Sequence, residues 1–304
     1  TSIGISIFPQ DGKDSSSLLK NADLAMYRAK SEGRNGYYFF THNMNRDLKR
    51  TQSIESGLKT AIEEENLKLF FQPQLNVASG QIESCEALLR WPQPDGSYIE
   101  PSEFIPIAER TGLINDIGCW IFEKACDYQK QWNEKGLKQI RVDINLSGKD
   151  FVGDKVIHQL IDGISKNKQL ASQIGIEITE NILLESNEQV IQLLTKLHQS
   201  NVHISIDDFG TGYSSLNYLK HFPVTCLKID QGFVREAPNN IQDQIIMRAI
   251  TTVGHGLGMV VTAEGVESKE HFQLIQEMGC DLIQGYFVSR ALPAEQFEKK
   301  YLQQ

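Results

Sequence analysis

The sequence of 304 residues lacks most of the features that would decide its class at once. Its five cysteines, Cys85, Cys119, Cys126, Cys226 and Cys280, are scattered and form no CxxC pair. An odd, dispersed set is neither a disulfide framework nor a zinc site; it fits reduced thiols in a cytoplasmic protein. The seven histidines show no metal-type spacing, so a bound metal would take hard oxygen ligands, which suits Mg2+ or Mn2+. No apolar run is long enough to span a bilayer, and the first residues show no secretory n-region or h-region. Basic charge is short too: 30 Lys and Arg against 39 Asp and Glu give a net charge of −9. That balance argues against a nonspecific surface for duplex nucleic acid. A compact anionic substrate stays open, because bound metal inverts the local field.

What is present begins with a strand-like "TSIGISIF" that has no start methionine, as expected of a fragment of a longer protein. "SSSLLKNADLAMYRAKSEGRNGYYFF" reads as a helix and then a short strand. Ser15 to Ser17 offer caps, and Leu18, Leu19, Ala22, Met26 and Ala29 fall on one face. The charged stretch that follows has neither proline nor a glycine run, which predicts a stiff helical connection. The expected organisation is therefore a small α/β piece over residues 1–41, a helical linker over 42–58 and a main domain over 59–304.

From Leu67 a rhythm sets in. Strand-like runs occur at "LKLFFQPQL", "SCEALLRW", "IRVDINLS", "IGIEITE", "HISIDD", "TCLKID", "MVVTAEGVE" and "LIQGYFV", with helical patterns between most of them. This alternation predicts an α/β fold of the TIM-type (β/α)8 barrel class. A doubly wound open sheet is the other arrangement to weigh, but no glycine-rich dinucleotide turn follows any strand.

The polar residues cluster where strands end: Glu86 with Arg90 beyond it, Asn145, Glu177 and Glu180, Asp207 and Asp208, Lys228 and Asp230, Glu264 and Glu267, and Gln284. In a parallel barrel these ends converge on the face that carries the chemistry. Any one of them could be a turn or cap residue. A series of mostly acidic ends is costly to bury unless neutralised, and a pair of divalent cations explains it most simply. Two oxygen-ligated metals are a recurrent device for hydrolysing phosphate esters. Lys228 would reach the attacking water or a phosphoryl oxygen, and Arg90 offers a planar fork for phosphate or a guanine edge. A Schiff base on Lys228 is a different chemistry that would leave most of the acids unexplained. Phe70, Phe71, Trp91 and Phe104 read as core rather than as base-stacking rings.

The motifs "CEALLRW", "INLS", "EITE", "DDFGTGYSS", "LKID", "AEGVE" and "QGYFVS" closely resemble, in order, the series of the EAL family, from about Ile54 to Ala294. The resemblance implies a metal-dependent phosphodiesterase that opens cyclic di-GMP to 5′-pGpG on a barrel whose first strand is antiparallel. It implies metal ligation by Glu86, Asn145, Glu177 and Asp207, with Asp208 and Glu264 around a second ion. Mg2+ or Mn2+ would be the working metal and Ca2+ an inhibitor. Lys228 matches the lysine that holds the nucleophilic water; either it or Glu264 takes the proton. Gln72, Arg90 and Gln284 match substrate contacts, while Glu180 and Glu267 match residues that steady the "DDFGTGYSS" loop. None of these positions departs from the family pattern, which weighs against a receptor that holds the dinucleotide without cutting it. The first forty residues resemble the end of a GGDEF, or diguanylate cyclase, domain, with Lys30 and Arg34 at triphosphate-contacting positions. The GGDEF turn itself is absent, so cyclase activity is not expected of this chain. Pairing into a homodimer, and upstream domains of a parent that could tether it to a membrane, follow from the same resemblance as expectations.

Overall fold

The computed structural model describes residues 1–31, 35–152, 155–184, 188–212, 219–220 and 222–303. Arg34 of the proposed triphosphate pair, and Tyr213, Ser214 and Ser215 of the "DDFGTGYSS" loop, lie outside these residues. The chain divides into two compact units, Thr1–Ala61 and Ile62–Gln304. In the first, β1 (Ile3–Ile5) pairs in parallel with β2 (Tyr37–Phe39), and helix Ser15–Ser31 connects them. A helix over His42–Glu63 follows, longer than the 42–58 stretch read from sequence.

The second unit is a closed eight-stranded barrel. Its strands are β3 (Lys68–Asn76), β4 (Ile82–Pro92), β6 (Arg141–Leu146), β7 (Ile174–Thr179), β8 (His203–Phe209), β9 (Cys226–Ile229), β10 (Val260–Ala263) and β11 (Leu282–Ile283). A short β5 (Tyr98–Ile99) sits beside β4. From β4 through β11 the barrel neighbours run parallel, and β3 closes the ring antiparallel to both β4 and β11. The expected fold and its antiparallel first strand are thus both present.

Strands buried on both faces explain the near-continuous Ile, Val and Leu content; Ile144, Ile176, Ile204, Leu227 and Val261 are all buried. From β3, Phe71 anchors an aromatic cluster, its ring centroid 5.2 Å from Tyr128, 5.3 Å from Trp132 and 5.7 Å from Phe297. Phe71, Trp91 and Phe104 are buried as expected, whereas Phe70 is half-buried, its ring 5.7 Å beneath the Arg90 guanidinium. The described cysteines are all free thiols, and no described helix is long and apolar enough to cross a membrane.

Because β4 and β6 to β11 are parallel, their C-terminal ends open on one side of the barrel. The antiparallel β3 contributes there too: its register sets Gln72 opposite Glu86. One feature was not legible in the strand pattern. Simple alternation would send Asp207 and Asp208 to opposite faces of β8. Instead the β8–β9 register shifts between Ile206 and Phe209, and Asp208 takes φ 54°. Aspartate tolerates this left-handed conformation better than most side chains. The bulge turns the second carboxylate back toward the first.

Candidate active site

Lys228 is the centre of the site. Its side chain, 1% exposed, lies among four carboxylates. Nζ donates to Glu177 Oε2 at 2.5 Å and stands 2.7 Å from Glu264 Oε1, 3.0 Å from Asp207 Oδ1 and 3.6 Å from Glu86 Oε2. These residues come from β4, where Glu86 is mid-strand, from β7, β8 and β9, and from the residue that follows β10, so the barrel brings together side chains that are distant in sequence. One ammonium faces more negative charge than it can offset. Burial pushes Glu264 up to about 8 and Glu177 well above the usual carboxylate range; Lys228 pulls both down, but burial together with the neighbouring acids outweighs it. Burial pulls Lys228 down, but the surrounding carboxylates prevail and hold it above the ordinary lysine range. Asp208 is raised to about 6 by burial and by Asp207 and Asp230.

A relay of amides fixes Glu86. Asn145 Nδ2 donates to its Oε1 at 2.6 Å, and Gln284 Nε2 donates to its Oε2 at 2.5 Å. Gln284 Oε1 accepts from Gln74 Nε2 at 2.9 Å, and Gln74 Oε1 accepts from Ser84 Oγ. Gln284 also approaches Gln72 Oε1 at 3.4 Å, while Gln72 Nε2 donates to the Ser289 carbonyl at 3.2 Å. Gln284 therefore orients Glu86 in this arrangement, and Gln74 and Ser84 are supporting residues that strand reading passes over as ordinary alternation.

Glu180, buried at the end of β7, accepts from the Gly210 amide at 2.9 Å through Oε2. A side chain on Gly212 would meet its Oε1 at 2.5 Å, so the segment after Asp208 is closely fitted to this carboxylate. Glu267 is placed differently. It is exposed on the cleft wall, and among the described residues its carboxylate makes no hydrogen bond. Arg90 lies beyond Glu86 on the same face of β4, half-buried, with Nη1 donating to the Leu89 carbonyl at 2.8 Å.

The cleft above these groups measures about 400 Å3, the size of a small-molecule site. Gln72, Glu86, Asp207, Glu264 and Gln284 line its floor, while Arg235, Glu267 and Tyr286 line it without having been singled out together by the sequence. Arg235 escaped notice because it sits within the helix Gln231–Glu236 and not at a strand end.

Two observations bear on whether divalent cations fit here. Ligand oxygens from Asp207, Asp208 and Glu264 lie within 4.8 Å of one another. Glu177 Oε1 is buried with no hydrogen-bond partner, a costly state for a carboxylate oxygen that a cation would relieve. An all-oxygen donor set matches hard ions of the Mg2+ and Mn2+ type. The residues present fit such a group.

Comparison with known proteins agrees with this geometry. The EAL domain model matches residues 55–291, and the model of the diguanylate cyclase, GGDEF domain matches residues 1–36. The chain is 40% identical over 303 residues to the signaling protein YkoW of Bacillus subtilis, covering 100% of this chain and 38% of that protein. It is 38% identical over 295 residues to the bifunctional diguanylate cyclase/cyclic di-GMP phosphodiesterase MucR of Pseudomonas aeruginosa, covering 97% of this chain and 43% of MucR. The chain thus spans about two-fifths of the length of these relatives. Among solved structures, the PaMucR phosphodiesterase in complex with c-di-GMP superposes with a TM-score of 0.76 at 36% identity, covering 81% of this chain and 99% of that one. With its matched motifs, closed barrel and acidic cleft, the chain belongs to the EAL-domain family and carries a GGDEF-domain segment at its N-terminal end.

Proposed function

We propose that this barrel hydrolyses cyclic di-GMP to linear 5′-pGpG with two divalent cations, Mg2+ or Mn2+. The observation that carries the reading is the charge imbalance. Glu86, Glu177, Asp207, Asp208 and Glu264 converge on one cleft whose only buried cation among the described residues of the site is Lys228. Glu86, Asn145, Glu177 and Asp207 would hold one ion; Asp208 and Glu264 would help to hold the other. When bound, such a pair polarises a phosphoryl oxygen and lowers the pKa of water.

The chain's own groups do the rest. Lys228 turns its three donors to the carboxylates Glu177, Asp207 and Glu264, where they would hold the attacking water or a phosphoryl oxygen. The Ser84–Gln74–Gln284 relay keeps Glu86 in one orientation, as the supporting groups of a metal ligand must. Glu180 steadies the segment that carries Asp207 and Asp208. Gln72 and Arg90 face the substrate. The relatives named as cyclic di-GMP phosphodiesterases, and the PaMucR phosphodiesterase in its complex with c-di-GMP, support this substrate class. The proposal includes pairing of two barrels and control by domains outside this chain, which covers only part of its relatives. It places the reaction in the cytoplasm, in keeping with the free thiols.

Mn2+ titration followed by electron paramagnetic resonance, with turnover of cyclic di-GMP read in parallel, tests this. Turnover should rise as the second equivalent binds. A single bound ion at full activity would remove the two-metal mechanism, and dinucleotide binding without turnover would make the barrel a receptor.

A further inference from the structure

A second cavity, of about 320 Å3, shares no lining residue with the catalytic cleft. It is large enough for a small molecule. Its walls come from four segments: the β3–β4 hairpin with Leu75 and Ile82, the connection into β6 with Lys138, the turn after β11 with Phe287 and Val288, and the C-terminal helical turn Glu298–Leu302 with Tyr301. Hydrogen bonds tie each wall to the next. Lys138 Nζ donates to Gln81 Oε1 at 3.3 Å, and Lys138 N donates to the Leu302 carbonyl at 3.1 Å. Tyr301 Oη donates to the Val288 carbonyl at 3.4 Å. The hairpin is closed by Asn76, whose Oδ1 accepts from the Ala78 and Ser79 amides at 3.0 and 2.8 Å. A cavity built before its ligand arrives binds with less ordering cost.

The lining is apolar with a single charge. Leu75, Ile82, Phe287, Val288 and the Tyr301 ring offer hydrocarbon and aromatic surface, and Lys138 is the one charged residue among the described lining. An ammonium carries three donors and no acceptor. Among the described residues Lys138 has no carboxylate partner, only the neutral Gln81 amide. Its neighbour Lys135 differs, with Nζ 2.7 Å from Glu298 Oε2. Lys300 adds positive charge on the C-terminal turn, its Nζ 4.9 Å from the Tyr301 ring centroid. A neutral apolar ligand would cover the half-buried Lys138 and leave its donors unanswered, at a cost. A monoanion with an apolar body answers both parts of the lining.

The cavity also adjoins the groups that orient Glu86. Gln284, Gly285 and Tyr286 line the catalytic cleft, and the next two residues, Phe287 and Val288, line the second cavity. The Gly285 carbonyl accepts from Val288 N at 3.1 Å and from Ser289 N at 3.0 Å, so this segment is one compact turn. The Ser289 carbonyl accepts from Gln72 Nε2 at 3.2 Å, while Gln284 Nε2 holds Glu86 at 2.5 Å. An occupant packed on Phe287 and Val288 therefore bears on the turn that places both glutamines. A ligand that orders what a second ligand must also order gives positive coupling between the two. We propose that this cavity is a second binding site, for a small carboxylate with an aromatic or branched aliphatic body. Lys138 takes the carboxylate, and the occupant steadies the turn and strengthens binding in the catalytic cleft.

The site itself is independent of the proposed reaction; only the coupling, read with cyclic di-GMP, rests on it. Methyl NMR with 2-naphthoate as the probe tests both. Leu75, Ile82 and Val288 methyls report the second cavity, and Leu88 methyls report the catalytic cleft. 2-Naphthoate should shift the first three saturably, with a Kd of about 1 mM for a ligand of its size. Lys138→Met should weaken binding about 10-fold or more, and Lys138→Arg should restore most of it. The neutral analogue 2-naphthalenemethanol should bind wild type about 10-fold more weakly than the acid. With Ca2+ present, saturating 2-naphthoate should tighten cyclic di-GMP about 5-fold or more, and cyclic di-GMP should tighten 2-naphthoate by the same factor. Shifts confined to Leu88, no saturable shift at the other three, or full affinity in Lys138→Met would overturn the site. Displacement of 2-naphthoate by cyclic di-GMP, or unchanged cyclic di-GMP affinity, would overturn the coupling. A wild type that binds 2-naphthoate but not cyclic di-GMP would support the site and refute the proposed substrate, and the coupling with it.

Discussion

Lys228→Met removes the ammonium from the centre of the site while keeping an unbranched apolar stem. Lys228 is 1% exposed and has four carboxylates within 3.6 Å or less. Removing one partner of a buried charge cluster costs about 3–5 kcal/mol, because the remaining charges lose their compensation. For a unit the size of Ile62–Gln304, each kcal/mol lowers the melting temperature by about 2–4 °C. The metal-free variant should therefore melt about 6–20 °C below the metal-free wild type. Divalent ions should substitute for the lost ammonium, and a ligand at 100 times its Kd adds about 2.7 kcal/mol of stability. Calorimetric melts of both proteins in chelator and in excess Mn2+ read both effects. The stabilisation by Mn2+ should be larger in the variant than in the wild type. A metal-free variant that melts within about 2 °C of wild type would refute the compensation argument. Equal gains from Mn2+ in both proteins would refute the claim that lysine and metal share the same carboxylates.

Three further outcomes are expected. Glu86→Ala should abolish turnover chiefly by weakening metal binding, which calorimetric Mn2+ titration checks; unchanged Mn2+ affinity would show that Glu86 is not a ligand. Ca2+ should bind in the same cleft yet support poor turnover, because its longer and looser coordination misplaces the water; equal rates with Ca2+ and Mg2+ would contradict this. Asp150, buried beside the Ser147 amide, has its carboxyl pushed up from 3.8 to about 7 by burial. A raised carboxylate pKa stabilises the fold below the unfolded pKa and loses that contribution as pH rises through 7, by about 4 kcal/mol at most. Asp150→Asn should flatten the fall in stability between pH 4 and pH 8 in urea titrations; an identical pH profile in variant and wild type would contradict the assignment.

The barrel was legible because its strands carry long runs of β-branched residues, and because their polar ends recur on one side of each strand. The antiparallel first strand came from the family resemblance and not from periodicity, since alternation carries no direction. Asp207 and Asp208 announced a site as neighbours, but how they share a face depends on the φ of 54° at Asp208, a backbone choice that residue types alone do not dictate. The amide relay from Ser84 through Gln74 to Gln284 joins strands at opposite ends of the barrel sequence, so only closure of the ring brings it together. Arg235 passed unnoticed for a related reason, and Tyr286 was read as part of the strand-like run "LIQGYFV", whereas β11 ends at Ile283 and Tyr286 lies in a turn. They reach the cleft from a helix and a loop, whose approach is set by the contacts of Gly265 and Gly285 and not by strand pattern.

The most direct test of the account is chromatography of cyclic di-GMP incubated with this chain in Mn2+ and, in parallel, in excess chelator. The account predicts 5′-pGpG in the first sample and intact substrate in the second. Intact substrate in both, with the dinucleotide bound, would contradict hydrolysis; 5′-pGpG in both would contradict the role given to the acidic cluster.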